Sequence, residues 1–501
     1  MAGILIIIKA RAVRTARAMV RAGMVGLFLI AACAVGPDFV RPKPPEGRHY
    51  TREPTPLSTA PADGHTQRFQ PGAKIAAEWW RLFNSPQIDG LVKEAIADNP
   101  SLQAAQASLR QSQENLRAGY GVFYPQVDVG AAAGRERFSG AAFGQGSASR
   151  IFNLFTLSAT VSYALDVFGG ERRAVEGLSA QADYQRYVAV GTYLTLSGNI
   201  VNTVIARAGY ADEVRVTEEL IALQKEQLHI TEAQVSAGTA AYASLLSLKS
   251  SIAATEAALP PLRQKLAQSE HLLVTLTGHL PADRALPDID LGNLTLPANL
   301  PVSLPSELVR QRPDILASEA QLHAASANIG VATAAMLPRF TLNGSFGQTS
   351  NVASTLLQSG SSFWSLGADV TAPVFHGGAL WHQRKAAIEA YQGALANYRQ
   401  SVLSAFAQVA DTLRGLEHDA QTVDAQSRAV DASAGAMKLL QANYQAGLAG
   451  YLQVLVADAQ YHQASIGYLQ ARTQRLQDTT ALFVALGGGW WNAARDVVGG
   501  R

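Results

Sequence analysis

A single cysteine, Cys33, stands in the 501 residues, so no disulfide can close within the chain and no cysteine-based zinc site is available. The sequence also lacks a Gly-x-x-x-x-Gly-Lys-Ser/Thr loop, a His-Glu-x-x-His pair and a Gly-x-Ser-x-Gly elbow. These absences leave no visible nucleotide-driven motor, zinc-hydrolase centre or activated serine, and argue for a protein that is not an enzyme and needs no cofactor. The ten histidines are scattered, and His229, His271 and His323 fall on helical stretches as solvated or packed side chains rather than metal ligands. Gly140, Gly144 and Gly146 do not make a phosphate loop, because a strand hairpin surrounds them. Lys and Arg (41) balance Asp and Glu (39), so no basic excess marks a nucleic-acid partner.

What is present is an alanine-rich chain, 48% hydrophobic with only 7% aromatic residues, a composition suited to long helices packed side by side. At the N-terminus, Lys9, Arg11, Arg14, Arg17 and Arg21 precede an apolar run from Met24 to Ile30 and then the small residues Ala31 and Ala32. That layout is a secretory signal over 1–32, too short in its apolar run to span a bilayer. Leu29-Ile30-Ala31-Ala32-Cys33 resembles a bacterial lipobox, which makes Cys33 the expected lipidated N-terminus, and Ala34 after it points to outer-membrane lipid. Residues 33–75 then read as a tether, rich in Pro, Thr and Arg over 37–72 and without helical or strand periodicity.

From Trp79-Trp80 onward the chain repeats itself. Pro100 and Pro313 open helical stretches that close at Tyr124-Pro125 and Leu337-Pro338, each landmark shifted by 213 residues. Phe168-Gly169-Gly170 is echoed by Phe375-His376-Gly377-Gly378, and Ala237-Gly238 by Ala446-Gly447. Two like halves follow, 76–285 and 304–487, joined by a connecting segment over 286–303 and followed by a tail over 488–501. Each half predicts a helix, two strands (about 125–137 and 154–167; 338–348 and 363–374) and two long helices (about 171–236 and 241–277; 380–445 and 450–486).

The strands carry period-two alternation. Phe155, Leu157, Ala159, Val161, Tyr163, Leu165 and Val167 alternate with a mostly polar set, and Trp364, Leu366, Ala368, Val370 with Ser365, Gly367, Asp369, Thr371. Segments of about ten residues with one apolar and one polar face are what a membrane barrel with a watery lumen requires. Four strands cannot close one, so either they form a soluble sandwich or several chains contribute to a shared barrel. Long polar loops, 140–149 and 351–361, join the two hairpins. The helices after them have no internal Pro, and some 66 residues at 1.5 Å rise reach about 100 Å, too long for a compact domain. Gly238 and Gly447 read as left-handed caps at two equivalent hairpin tips, and Leu220, Leu223, Gln227 and Ile230 as a coiled-coil seam. Asp411 and Arg414, three apart, read as an exposed helix pair or as tunnel lining.

Taken in order, Cys33 with Gly36-Pro37-Asp38-Phe39-Val40-Arg41-Pro42, Trp79-Trp80-Arg81-Leu82-Phe83, Arg312-Pro313-Asp314-Ile315, Leu337-Pro338, Phe375-His376-Gly377-Gly378, and Tyr444-Gln445-Ala446-Gly447 with Tyr451-Leu452-Gln453-Val454-Leu455 resemble the TolC-like outer-membrane factors. The resemblance is to their lipidated OprM-type branch, the NodT family, and covers nearly everything after the signal. It implies a mainly α fold with a membrane β-barrel part, in which a homotrimer shares one twelve-stranded barrel continued by a periplasmic α-barrel. It further implies a periplasmic adaptor and an inner-membrane efflux pump as partners, outer-membrane lipid around the strands, and docking tips at Gly238-Thr239 and Gly447-Leu448. Family members narrow the tunnel just beyond the second tip with a hydrophobic ring and, often, acidic side chains one turn on. Leu452 takes the hydrophobic position, whereas Gln453 and Val456 stand where acids would be, and Asp458 is out of register. The implied gate is therefore one of Leu452 packing, with little sensitivity to pH or cations.

The sequence leaves three readings: a passive exit duct for drugs or toxic small molecules, the same architecture serving protein or oligosaccharide secretion, and a periplasmic coiled-coil scaffold without transport. The alternating strands count against the scaffold, and the lipobox favours the efflux branch.

Overall fold

The computed structural model describes residues 34–45, 49–54, 56–138 and 149–493. The expected signal over 1–32, Cys33, all but Ser149 of the 140–149 loop, and the end of the tail lie outside these residues. In chain order the elements are β1 (Arg68–Pro71), α1 (Pro86–Asp98), α2 (Pro100–Gly119), β2 (Gln126–Phe138), β3 (Arg150–Leu165), α3 (Gly170–Ser236) and α4 (Tyr242–Leu276). They continue with β4 (Asn299–Val302), α5 (Pro305–Gln311), α6 (Pro313–Ala334), β5 (Arg339–Ser350), β6 (Ser362–Thr371), α7 (Ala379–Gln445) and α8 (Tyr451–Ala485), with short 3-10 turns between. Contacts group the chain into two units, one of residues 1–41, 110–184 and 318–398, the other of 42–109, 185–317 and 399–501. Each unit draws on both halves of the sequence.

In the first unit a four-stranded antiparallel sheet has the order β2-β3-β5-β6. Its register places Val129 beside Ala159, Ala159 beside Phe346 and Phe346 beside Trp364, one apolar row across all four strands. The next row, Asp128, Thr160, Ser345 and Ser365, is polar, with Ser345 and Ser365 hydroxyls 2.7 Å apart. Side chains alternate across a pleat, so the middle of the sheet has one apolar face and one polar face, while Gln348, Ser362 and Arg135 join the apolar side toward the loop end. The helix after β3 starts where it does because Asp166 accepts hydrogen bonds from the Glu171 and Arg172 amides, both at 3.0 Å, satisfying donors that a helix N-terminus leaves free.

The second unit is centred on Trp79, Trp80, Phe83, Ile200, Ile205 and Phe483, all buried, with Trp79 stacked on Phe483 at 5.4 Å. Residues 68–71, read from the sequence as part of a structureless tether, instead form β1 and pair parallel with β4 inside the 286–303 connection. The segment is held by one buried polar residue: Gln67 donates to Pro297 O and to Thr479 Oγ1. Four strand residues are too few for alternation to be legible.

α3 and α7 have 67 residues each, α4 and α8 have 35 each. The expected seam on α3 is only partly packed. Leu220 is buried, while Leu223 and Ile230 stand exposed at 57% and 44%. Within one chain this apolar stripe has more width than the neighbouring helices cover. Nor do Asp411 and Arg414 pair: Arg414 bonds Glu417 at 2.7 Å and Glu53 at 3.4 Å, a helical turn in the other direction.

Candidate channel elements

Three places in the chain hold the residues that the sequence assigns to a duct: the sheet, the two helix-hairpin tips, and the first turns of α8. On the sheet, Val129 (76%), Phe346 (63%), Trp364 (76%) and Leu366 (81%) leave large apolar surfaces bare. Exposed hydrophobic area of this extent on a folded monomer marks contact with lipid or another chain. β2 and β6 each have one strand neighbour, so both sheet edges present unpaired backbone groups that no bilayer could satisfy.

Both tips close in the same way. The Gly238 amide donates to Val235 O (3.0 Å) and Thr239 to Gln234 O (2.9 Å); the Gly447 amide donates to Tyr444 O (3.0 Å) and Leu448 to Asn443 O (2.8 Å). This is the Schellman pattern, and it needs the positive φ seen at Gly238 (73°) and Gly447 (75°). All four tip residues are exposed, Leu448 at 80%. The tips also meet through Tyr444, whose hydroxyl donates to Gln234 Oε1 at 2.7 Å.

In the first turn of α8 the helix divides its residues sharply. Tyr451 and Val454 are buried against Leu248 and Ile252 of α4, while Leu452 (66%), Gln453 and Val456 (49%) point away, exposed. The implied constriction residues therefore share one open face, and Asp458 does not join it. Burial first of all raises the Asp458 carboxyl above its usual range, opposed by a hydrogen bond with Gln441. Cys33 lies outside the described residues.

Two polar features escaped the sequence. Arg475 of α8 is 3% exposed and donates to Gln67 Oε1 (3.0 Å), Thr59 Oγ1 and the carbonyls of Ala62 and His65, fastening residues 59–67 onto α8. Beside it, Asp419 of α7 faces Asp478 of α8, and burial together with that second carboxyl pushes Asp419 up to about 8. Its Oδ2 is buried and meets no donor among the described residues, and a proton shared with the second carboxyl would satisfy it. A glycine at 415, whose added Cβ would lie 3.1 Å from Asp478 Oδ2, makes room for the pair. Sequence spacing could not have matched residues 59 apart on two helices.

The outer membrane efflux protein model matches residues 91–279 and 304–488, and the chain belongs to that family, whose members are outer-membrane efflux ducts rather than enzymes. Among its relatives, the pyoverdine export outer membrane protein OpmQ of Pseudomonas putida is 31% identical over 423 residues, covering 82% of this chain and 88% of its own. The probable outer membrane lipoprotein SilC of Salmonella typhimurium is 26% identical over 93% of this chain and 97% of its own. Of solved structures, the outer-membrane channel OprN superposes with a TM-score of 0.83 at 26% identity, covering 91% of this chain and all of that one. The protein is an efflux exit duct of the outer membrane.

Proposed function

We propose that three copies of this chain assemble into one duct, lipid-anchored at Cys33, that passively conducts drugs or other toxic small molecules outward from a periplasmic adaptor and an inner-membrane pump. The observation that carries this reading is the sheet: four strands, apolar on one face through the middle rows, polar there on the other, and unpaired at both edges. Joining β6 of one copy to β2 of the next satisfies the edges, and three four-stranded sheets give a barrel of a size that encloses water. The bare apolar residues on the helices, Leu223 and Ile230 among them, find their cover in neighbouring copies. Equal 67- and 35-residue helices in the two sequence halves support the twofold internal repeat, so that a trimer repeats one hairpin motif six times around the tunnel.

In that assembly the tips at Gly238, Thr239, Gly447 and Leu448 meet the adaptor, and Leu452, with Gln453 and Val456, lines the narrow end. With no carboxylate on that face, closure rests on apolar packing, and conductance should vary little with pH or divalent cations. The test is single-channel conductance in planar bilayers. The wild type is expected to show a small conductance, raised severalfold by Leu452→Ala. Leu220→Ala, which trims a packed α3 residue far from the tips, should leave it unchanged. A folded protein that forms no channel would return the chain to the scaffold reading.

A further inference from the structure

Beneath the sheet, in the first unit, a cavity of about 460 Å³ lies among the end of β3, the start of α3, the end of α6 and the start of α7. Its wall is mainly apolar, with Leu165, Phe168, Ala174, Val331, Leu337 and Leu380 among the lining residues. Of the charged groups at its rim, Asp166, Glu171 and Arg339 each have a partner of opposite charge. Asp166 is taken by the Glu171 and Arg172 amides and by the Arg172 guanidinium at 3.1 Å, and Arg339 faces Glu171 at 3.7 Å. A phosphate would find those cations spoken for, whereas an uncharged hydrocarbon asks only for such walls.

The chain enters its described part beside this cavity. The amide of Val35 donates to Phe168 O, a lining residue, at 2.9 Å, and Arg173 donates back to Val35 O at 3.3 Å and to Asp38 at 2.6 Å. Arg41 adds an ion pair to Glu319 at 2.6 Å, and Phe39 stacks on His323 at 4.3 Å. Ala34 itself fills the space a side chain on Gly169 would need, its Cα 2.6 Å from that added Cβ, and Gly36 likewise lies against Gly330. Residues 34–41 are thus pinned along α3 and α6, the two helices that also wall the cavity through Gly170, Ala174, Val331 and Ala334. The residue before Ala34 is Cys33.

We infer that this cavity is the seat of an acyl chain carried by Cys33. The lipid anchor is then docked against the protein at the base of the sheet instead of ranging freely in the bilayer, which fixes the depth of the strands. The inference rests on the lipidation of Cys33 proposed above, and its test separates the two. Cells would be fed a fatty acid bearing a diazirine, the full-length protein purified in detergent after irradiation, and its peptides mapped by mass. The mass of the Cys33 peptide reports lipidation by itself. The expected result is a cross-link from the acylated Cys33 peptide to peptides containing 164–174 or 331–339, lost in Val331→Phe and in Ala334→Phe while the Cys33 mass is unchanged. A lipidated Cys33 with no such cross-link overturns the docking alone, as does a cross-link at those peptides to free phospholipid, or one from the Cys33 peptide that survives both cavity-filling variants. An unacylated Cys33 overturns the anchor reading as well.

Discussion

The α3–α4 and α7–α8 hairpins have equal lengths and equal tips, yet their corresponding residues, 209 apart, do different things. Tyr242 and Tyr451 both begin the returning helix, but Tyr242 is 63% exposed and Tyr451 is buried among Leu248, Ile252 and Val454. After them come Ala243, Ser244 and Ser247 in the first hairpin, and Leu452, Gln453 and Val456 in the second. At these three matching positions only the second hairpin has large apolar side chains, Leu452 and Val456. Further along, α4 carries Pro260 and Pro261 inside the helix, where α8 has Leu469 and Gln470. Two missing amides free the carbonyls of Glu256 and Ala257 from their helical bonds. α8 in turn carries Arg475 and Asp478, opposite Asp419 on α7, where the first hairpin has Leu266, Ser269 and Tyr210. One architecture has been given a pliable returning helix in one half and an anchored one in the other.

The anchoring should fail most visibly at Arg475. Arg475→Met roughly keeps the volume but leaves buried Gln67 Oε1 without its donor and removes one from Thr59 Oγ1 and the carbonyls of Ala62 and His65, and is expected to cost about 2–4 kcal/mol in reversible unfolding. Leu266→Met at the matching site should cost well under half of that. If the two variants unfold alike, the asymmetry in anchoring is not energetic.

The pliability is sharpened by restoring the missing amides. Pro260→Ala together with Pro261→Ala should slow hydrogen exchange over 253–262 of α4, since an interior proline costs a helix roughly 3 kcal/mol. Leu469→Pro should do the reverse in α8. Unchanged exchange in the double alanine variant would mean that packing of Leu259 on Val214 and Ile221 already holds α4 rigid.

The smallest effect expected is that of the carboxyl pair. Asp419 is raised from 3.8 to about 8, so between those values the native chain holds a proton that the unfolded chain has released. Stability from this group therefore declines as pH rises through that window, and nothing is lost below about pH 4, where the carboxyl is neutral in both states. Asp419→Asn should stabilise by about 1–2 kcal/mol at pH 8 after discounting for partial solvent access, with the gain vanishing near pH 4. A difference that does not change with pH would place the proton elsewhere.

The long helices were legible because 66-residue stretches without proline leave little else to form, and the strands because alternation over ten or more residues is hard to produce otherwise. The tips were legible from glycine alone, since the left-handed cap excludes most side chains. The small β1–β4 sheet was not, because four residues carry too little pattern. Nor was the absence of an Asp411–Arg414 pair, which depended on Glu417 and on Glu53 arriving from a distant segment.

By itself, then, the sequence determined which segments are helix and strand, where each hairpin turns, and which strand face is apolar, since all of these follow from periodicity and backbone preference within a short window. Tertiary structure decided which of two equal tyrosines is buried, that Asp419 meets Asp478, that residues 59–67 lie under Arg475, and that a hydrocarbon-lined cavity opens beside the start of the described chain. Those outcomes depend on which side chains from distant positions share a few ångströms of low-dielectric space, and no local rule carries that information.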